Sequence, residues 1–437
     1  MPSSSPGKVR APVSAIEKET MRKVSWRLVP FLVLCYFVAY IDRSNIGFAA
    51  LTMNADIGLS ATAFGLGGSL FFIAYILFEV PSNLAQEKVG PRIWIARIMI
   101  TWGMVGMGMA FITGPYGFYI LRFLLGAAEA GFFPGAILYL SQWFPKTYRA
   151  RIVATFMVAI PLSNFFGSPL AALLLSMDGL LNLRGWQWLF IMESVPAIAL
   201  GFVALTVLKN KPTDAGWLTA EQQQWLTETL QNEKAEAGSA KHGSVWKTLI
   251  HGRVWALALI YAGSSATSNA LSIWQPQILQ SFGLTTWETG MFNMIPFGIA
   301  SVFMVLWGRF ADRSGERIWS VALPLLLTSM SLFATNLTSS LSVTLVLLSL
   351  VLIGNYAIKG PFWAFSTETL PPRMAAAGVA AVNTIAHLGT GVANSMVGVI
   401  RDQTPSFALA LTPLAVLTLC GSITIVIMGR MARKKAG

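Results

Sequence analysis

Twelve long apolar stretches constrain this 437-residue chain more than any other feature of its sequence. Each is long enough to cross about 30 Å of hydrocarbon as a helix, which takes roughly 20 residues. Backbone polar groups inside a bilayer must be satisfied within the protein, and a helix satisfies them within one segment. The sequence therefore predicts an all-α integral membrane protein with twelve transmembrane helices. The stretches lie near residues 28–50, 60–85, 93–113, 115–141, 151–176, 186–208, 253–279, 287–308, 318–338, 341–366, 375–400 and 406–429.

The composition and the distribution of charge agree with this prediction. Hydrophobic residues make up 54% of the chain, charged residues 11%, and the mean hydropathy is +0.61, which is too apolar for a soluble domain. Most of the 31 Lys and Arg residues lie in the termini and after the even-numbered stretches, while Arg184 and Arg401 lie on the opposite side. This asymmetry predicts cytoplasmic termini in a bacterial-type inner (plasma) membrane. Despite the net charge of +12, we therefore expect lipid and small solutes as partners, not nucleic acid.

The chain divides at its longest polar stretch, which is rich in Glu, Gln, Lys and Gly. Thr219 and Gln222 in this stretch fit a capping box, so we expect an amphipathic helix there. The predicted units are a cytoplasmic segment, a six-helix bundle, a cytoplasmic linker, a second six-helix bundle and a cytoplasmic tail: residues 1–27, 28–208, 209–252, 253–429 and 430–437.

Two loops repeat one pattern at matching positions in the two bundles. An acidic residue, a basic residue, a glycine and a final arginine recur: Glu87, Lys88, Gly90 and Arg92, then Asp312, Arg313, Gly315 and Arg317. The loops resemble the signature G-x-x-x-D-R-x-G-R-R of the major facilitator superfamily, from which the first copy departs at Asn83 and Pro91 and the second at Glu316. The resemblance implies two pseudo-repeat bundles that work by alternating access, with gating roles for Glu87, Arg92, Asp312, Arg313 and Arg317. If the pattern occurred in only one loop, that loop would be interpreted as an ordinary basic turn.

Longer segments resemble one branch of that superfamily, the anion:cation symporters. These segments are Tyr40–Ala49, Phe78–Asn83, Arg122–Gly131, Gly185–Phe190 and Ser272–Phe282. The branch includes carriers of 4-hydroxyphenylacetate, phthalate and tartrate. The resemblance implies proton-driven uptake of an organic carboxylate, an aromatic or dicarboxylic acid. Glu193 also matches the branch, and is either a conformational latch or a snorkelling or helix-contact residue.

Four ionisable residues lie inside apolar stretches: Asp42 and Arg43 in the first, Arg122 and Glu129 in the fourth. A charge at the bilayer centre costs at least ~3 kcal/mol, so such residues mark transport pathways. Burial favours the neutral form of a carboxyl group, whereas arginine stays charged. We expect Asp42 to pair with Arg122 and Arg43 to remain free for an anionic substrate.

These four residues suggest a coupling mechanism. Protonation of Asp42 or Glu129, the predicted proton-coupling residues, would release Arg43 or Arg122 to bind a substrate carboxylate. The alternative is a static buried salt-bridge network.

Other polar and aromatic residues complete the predicted substrate site. Lys359 would supply a cation from the second bundle, suited to a substrate with two acidic groups, or else it snorkels to the interface. Asn383 and His387 lie one turn apart on one helix face, where His387 is either a cavity ligand or a packing residue. Tyr75 and Trp274 could wall a pocket for a planar ligand, although most Trp residues of membrane proteins are interfacial or core.

The sequence contains no Walker loop, clustered metal ligands or nucleophile with a base at motif spacing. We therefore expect no enzyme activity, no metal and no cofactor, with the proton as coupling ion, and a monomer. An anion exchanger or an exporter on the same fold remains open.

Overall fold

The computed structural model describes residues 14–238, 251–370, 375–404 and 406–436. The regular elements of these residues are all helical, and no strand occurs among them. Residues 1–13, 239–250 and 437, which belong to the predicted N-terminal segment, linker and tail, lie outside the described residues. The helices are α1 Ala15–Asp56, α2 Ala61–Val89, α3 Pro91–Gly108, α4 Pro115–Glu129, α5 Phe132–Ser141, α6 Lys146–Leu175, α7 Gly185–Val207, α8 Ala220–Gly238, α9 Gly252–Gln280, α10 Thr286–Ser314, α11 Ile318–Ala334, α12 Leu341–Ala357, α13 Lys359–Thr369, α14 Ala375–Gln403 and α15 Phe407–Ala436.

Ten spans of the described chain are long and apolar enough to cross a membrane, which confirms the predicted all-α membrane fold. Helices α4 and α5 together form one span, as do α12 and α13. Helices α9 and α14, each of 29 residues, are long enough but are not among these ten. Both carry polar side chains along their length, and they pack against each other and, respectively, α1 and α2. Their lower hydropathy reflects this interface between the two halves of the molecule.

Two predicted helices are interrupted near the centre of the molecule. The fourth stretch breaks at Ala130 and Gly131, and Gly131 has a φ of +86°, which favours glycine. A β-carbon on Gly131 would also collide with the Ser82 side chain. The tenth stretch has a milder break at Ile358, which keeps helical angles. The breaks place Glu129 and Lys359 at helix ends.

The buried apolar residues form three clusters, and only one of them joins the two halves. That cluster includes Phe64 and Phe118 from the first half with Trp274 and Phe297 from the second. The other two clusters lie within residues 21–230 and within residues 254–425. We call the joined end, where α1 ends and α2 begins, the closed end, and the opposite end the open end. In the described residues the halves therefore share a core only at the closed end.

Hydrogen bonds across the halves are concentrated on the same side. Asp402, near the end of α14, accepts from the backbone N–H groups of Ala61 (2.9 Å) and Thr62 (2.7 Å) at the start of α2. Asn293 Nδ2 donates to Ser168 Oγ (2.8 Å), which links α10 to α6. Glycines let the backbones approach closely here, because a β-carbon on Gly65 or Gly398 would collide with the facing main chain.

Helix α8 is attached to the first half. The Thr219 and Gln222 backbone N–H groups each donate to the other residue's side chain, at 3.2 and 3.3 Å, which confirms the predicted capping box. Leu226 is buried in the core of the first half. Glu233 accepts from the Arg149 guanidinium at 3.0 Å.

We expect Asp402→Ala to weaken the closed end. A lost helix cap costs about 1 kcal/mol, which is roughly a fivefold change in a two-state population. Partial burial opposes ionisation of Asp402, but the hydrogen bonds from Thr62 and Ala61 outweigh it and lower the pKa of this carboxyl. The contact is therefore kept above the ordinary aspartate pKa of ~3.9 and lost only as the pH falls below that range.

The measurement is the distance between spin labels at Ala55→Cys and Gln403→Cys, in a Cys420→Ser background because Cys420 is exposed. Asp402→Ala should add a longer distance component. The matched control is Asp178→Ala, since Asp178 accepts from the Gly185 N–H at 2.8 Å within the first half. An unchanged distance distribution in Asp402→Ala would contradict the prediction.

Candidate functional site

The central ion pair of the site joins α1 to the end of α4. Arg43 Nε donates to Glu129 Oε1 at 2.5 Å, and the two side chains are 17% and 1% exposed. The Arg43 guanidinium also lies over the rings of Tyr40 (5.1 Å to the centroid) and Tyr75 (5.2 Å). The expectation that Arg43 is free is therefore wrong, because the helix break after Glu129 brings this carboxylate to it. The second Glu129 oxygen, Oε2, has no hydrogen-bond partner in the described chain.

Asp42 does not pair with Arg122, contrary to the sequence prediction. Its carboxylate accepts from Trp102 Nε1 at 2.6 Å and from Asn45 Nδ2 at 3.2 Å. Adjacent residues on a helix point about 100° apart, so Asp42 faces Trp102 of α3 while Arg43 faces Glu129. The sequence analysis missed Trp102 and Asn45. Asn45 could have been found, because it lies three residues after Asp42 on the same helix face.

Arg122 is a buried cation held without a carboxylate. Its Nε donates to the Gly67 carbonyl at 3.4 Å, and its guanidinium lies 4.9 Å from the centroid of the Phe71 ring. No Asp or Glu of the described chain lies within ion-pair distance of it. The same Phe71 ring lies 5.7 Å from the Arg43 guanidinium. The two arginines therefore flank one aromatic ring.

The second half contributes Lys359 at the start of α13. Its ammonium lies 5.2 Å from the Tyr261 ring centroid and 5.9 Å from that of Tyr356. Cation–π contacts of this kind stabilise a desolvated cation. No carboxylate of the described residues forms an ion pair with Lys359.

His387 on α14 connects the halves through aromatic contacts. Its ring stacks on Phe72 (5.6 Å between centroids) and lies 5.8 Å from Tyr75, which also covers Arg43. His387 Nδ1 has no hydrogen-bond partner in the described structure. Asn383, one turn earlier, is partly buried. The site thus has a cation in each half, with Tyr75 and His387 between the halves.

Trp274 lies apart from this group. It is fully buried in the closed end, where its ring meets Phe64 edge-on at 5.1 Å. Trp274 therefore belongs to the contact that closes the molecule, and in this conformation it does not line an open pocket.

The two repeated loops differ in their contacts. In the second copy, Arg317 bridges Asp312 (3.1 Å) and Glu368 (3.2 Å), all within the second half. Glu316, the departure from the signature, accepts from the N–H groups that begin α11 and so caps that helix. Arg313 is exposed.

In the first copy, Glu87 is exposed, while Arg92 Nε donates to the Leu205 carbonyl at 2.6 Å. The two loop glycines are alike, since Gly90 and Gly315 both have positive φ.

Comparison with known proteins identifies the family. The model of the Major Facilitator Superfamily matches residues 32–394. The chain belongs to the major facilitator superfamily. This confirms the family predicted from the charged loops, and the relatives are consistent with the anion:cation symporter branch.

Among the relatives is a "Putative tartrate transporter" of Agrobacterium vitis, 50% identical, with 96% of this chain and 93% of the relative covered. The "Quinolone resistance transporter" of Acinetobacter baumannii is 38% identical, with 96% and 97% covered. A solved D-xylose-proton symporter superposes with a TM-score of 0.73 at 15% identity, covering 92% of this chain and 97% of that one, and shows the shared fold. The chain is a multi-pass membrane transporter of a small molecule and not an enzyme.

We expect Glu316→Ala to destabilise the transporter and Glu87→Ala to leave its stability unchanged. Glu316 caps α11, and loss of a cap costs about 1 kcal/mol, whereas Glu87 is exposed and makes no described ion pair. Thermal unfolding in detergent measures both variants. Equal melting temperatures for the two would show that the Glu316 contacts contribute nothing to stability.

Proposed function

We propose that this transporter is a proton-coupled symporter of dicarboxylates of the tartrate type. The observation that carries the proposal is the pairing of Arg43 with a carboxylate in one half and the isolation of Lys359 from carboxylates in the other. A substrate with one carboxylate at each end can neutralise a cation from each half. Binding then draws the two halves together, as alternating access requires.

Proton coupling follows from competition for Arg43. While Glu129 is ionised it occupies the Arg43 guanidinium, so a substrate carboxylate must displace it. A proton on Glu129 removes that competitor and frees the guanidinium for a bidentate contact with the substrate. Uptake of a proton by Glu129 and binding of the anion are therefore linked, and each favours the other.

The cation in the second half favours a dicarboxylate over an aromatic monocarboxylate. A monocarboxylate such as 4-hydroxyphenylacetate would leave either Arg43 or Lys359 without an anion. Phthalate carries two carboxylates and satisfies the same requirement. The relatives named as putative tartrate transporters support tartrate as the first substrate to test.

The charge asymmetry of the loops supports cytoplasmic termini in a bacterial inner membrane, which would make the open end cytoplasmic. The described conformation would then be inward-facing. Substrate and proton would load from the other side when the closed end opens, and would leave through the open end.

An exporter is the second candidate, favoured by the 38% identity to the quinolone resistance transporter. The same ion pair would serve an exporter if substrate binding instead displaced the proton from Glu129, because substrate and proton would then cross the membrane in opposite directions. The two candidates differ in the sense of the proton gradient that drives accumulation.

We expect an inward proton gradient to drive accumulation of radiolabelled tartrate in proteoliposomes. Glu129→Gln should abolish accumulation while tartrate exchange persists, because the amide cannot hold the carboxylate charge that competes for Arg43. Phthalate and 4-hydroxyphenylacetate are tested alongside, and Glu221→Gln on the exposed face of α8 is the control. Accumulation of tartrate driven by an outward proton gradient would favour the exporter. Tartrate exchange in the wild type that does not respond to the proton gradient would exclude proton coupling.

We expect Lys359→Met to discriminate between substrates by charge. Loss of one charged contact costs ~1.5–3 kcal/mol, so tartrate affinity should fall by about 10- to 100-fold. Binding of a monocarboxylate held by Arg43 alone should change little, and Lys359→Arg should retain tartrate binding. Competition of unlabelled acids against bound radiolabelled tartrate measures all three. An equal loss for both classes of acid would indicate that Lys359 has a structural role.

A further inference from the structure

A buried carboxyl group lies outside the ion pair described above. Glu193, in the membrane-spanning helix α7, is 4% exposed. Neither of its carboxyl oxygens has a hydrogen-bond partner in the described structure. No Lys or Arg of the described residues lies within ion-pair distance of it. A charge in this position would be uncompensated in an apolar surrounding.

The ionisable group that acts electrostatically on Glu193 in the described structure is another carboxylate. Asp42 acts electrostatically on Glu193 from α1, and Asn45 approaches Glu193 from the same helix. Gly106 of α3 lies between the two helices, since a β-carbon on it would be 2.8 Å from Ser194 Oγ and 3.5 Å from Asp42 Oδ1.

The other charges of the region act on Asp42 rather than on Glu193. The positive charges of Arg122 and Arg43 both act electrostatically on the Asp42 carboxylate, although neither arginine forms an ion pair with it. Arg97, on α3, lies over the Trp94 ring at 4.0 Å. Asp42 is therefore the ionisable group that faces Glu193 among the described residues of the helices packed against α7.

Two neighbouring carboxyl groups in a low dielectric do not both ionise. Asp42 accepts two hydrogen bonds and has arginines nearby, so it is the member that holds the negative charge. Glu193 has no arginine acting on it and only the nearby Asn45 amide as polar support, so neutralisation by a proton removes the cost of burying its charge.

We propose that Asp42 and Glu193 form a buried carboxyl pair that holds one proton in this conformation and takes up a second during transport. This proposal rests on the proposed proton-coupled function and adds a proton site on a different face of α1, about 100° from Arg43. Trp102 of α3 donates a hydrogen bond to Asp42 and so fixes the position of its carboxylate.

The substrate supplies the reason for the second proton. A dianion that binds together with one proton on Glu129 makes the net charge of the site more negative, because the substrate brings two negative charges and the proton cancels only one. The added negative potential favours protonation of Asp42, the ionised member of the pair. One proton on Glu129 and one on the carboxyl pair then accompany a substrate with two negative charges.

The first test is independent of transport. Infrared difference spectra of the reconstituted full-length protein, recorded across a pH titration, detect the C=O stretch of protonated carboxyl groups. The wild type should show a band from a carboxyl with few hydrogen bonds at neutral pH. Glu193→Gln should remove this band, while Glu129→Gln and the matched packing control Ser194→Ala should retain it. Persistence of the band in Glu193→Gln would overturn the carboxyl pair.

The second test measures the number of protons transported per tartrate. This ratio follows from the size of the proton gradient that stops net tartrate flux down a known tartrate gradient. Asp42→Asn should lower this ratio by one proton, because Asp42 is the member that takes up the second proton, whereas Glu193→Gln, which mimics the protonated Glu193, should leave the ratio unchanged. An unchanged ratio in Asp42→Asn would mean that the pair exchanges no proton and would overturn the proposed exchange. If the wild type shows no proton-coupled transport, the proposed function fails, whereas the infrared band still decides whether the pair exists.

Asp42→Asn provides a second variant should Glu193→Gln not yield folded protein. Because it removes the neighbouring negative charge, the Glu193 band should shift in frequency without disappearing. A band at the wild-type frequency would show that the two carboxyl groups do not interact.

Discussion

The cost of placing charge in hydrocarbon organises this protein. Arg43 and Glu129 offset each other's charge directly, and their pairing fixes where α1 meets the end of α4. Arg122 and Lys359 are instead stabilised by aromatic rings, a weaker support that leaves each cation able to accept an anion. The pairing of charges is therefore incomplete within the protein, and an anionic substrate can complete it. A buried cation without a carboxylate partner can bind an anion, whereas a cation in a complete salt bridge must first lose its partner.

The two halves differ in their share of this arrangement. The first half holds most of the buried ionisable groups, on α1, α4 and α7, whereas the second contributes Lys359 and His387. Tyr75 contacts both Arg43 and His387, so it couples the charged half to the polar helix α14. Packed rings therefore connect Arg43 to the interface between the halves. Helix α8 is attached to the first half through the Arg149–Glu233 ion pair and the buried Leu226.

The sequence predicted the helical membrane fold because apolar length and charge asymmetry are local properties. It also predicted which charged residues are buried, since Asp42, Arg43, Arg122 and Glu129 stand out against apolar neighbours. The partners of those residues were beyond it, because they depend on helix rotation and on the break at Gly131. Asp42 was assigned to the wrong partner for this reason, and Trp102 was overlooked because a tryptophan in an apolar helix has no distinctive pattern.

Part of the closed end is sealed by direct contact between helix backbones, in addition to the side chains of the shared core. At Gly65 and Gly398 the main chains of α2 and α14 lie so close that no β-carbon fits between them. Side chains that merely touch leave gaps through which a file of water can form, and such a file conducts protons. Direct contact between two helix backbones leaves no such gap. At this contact the glycine seam therefore leaves no room for a file of water, a property that a carrier needs at its closed end to avoid leaking protons.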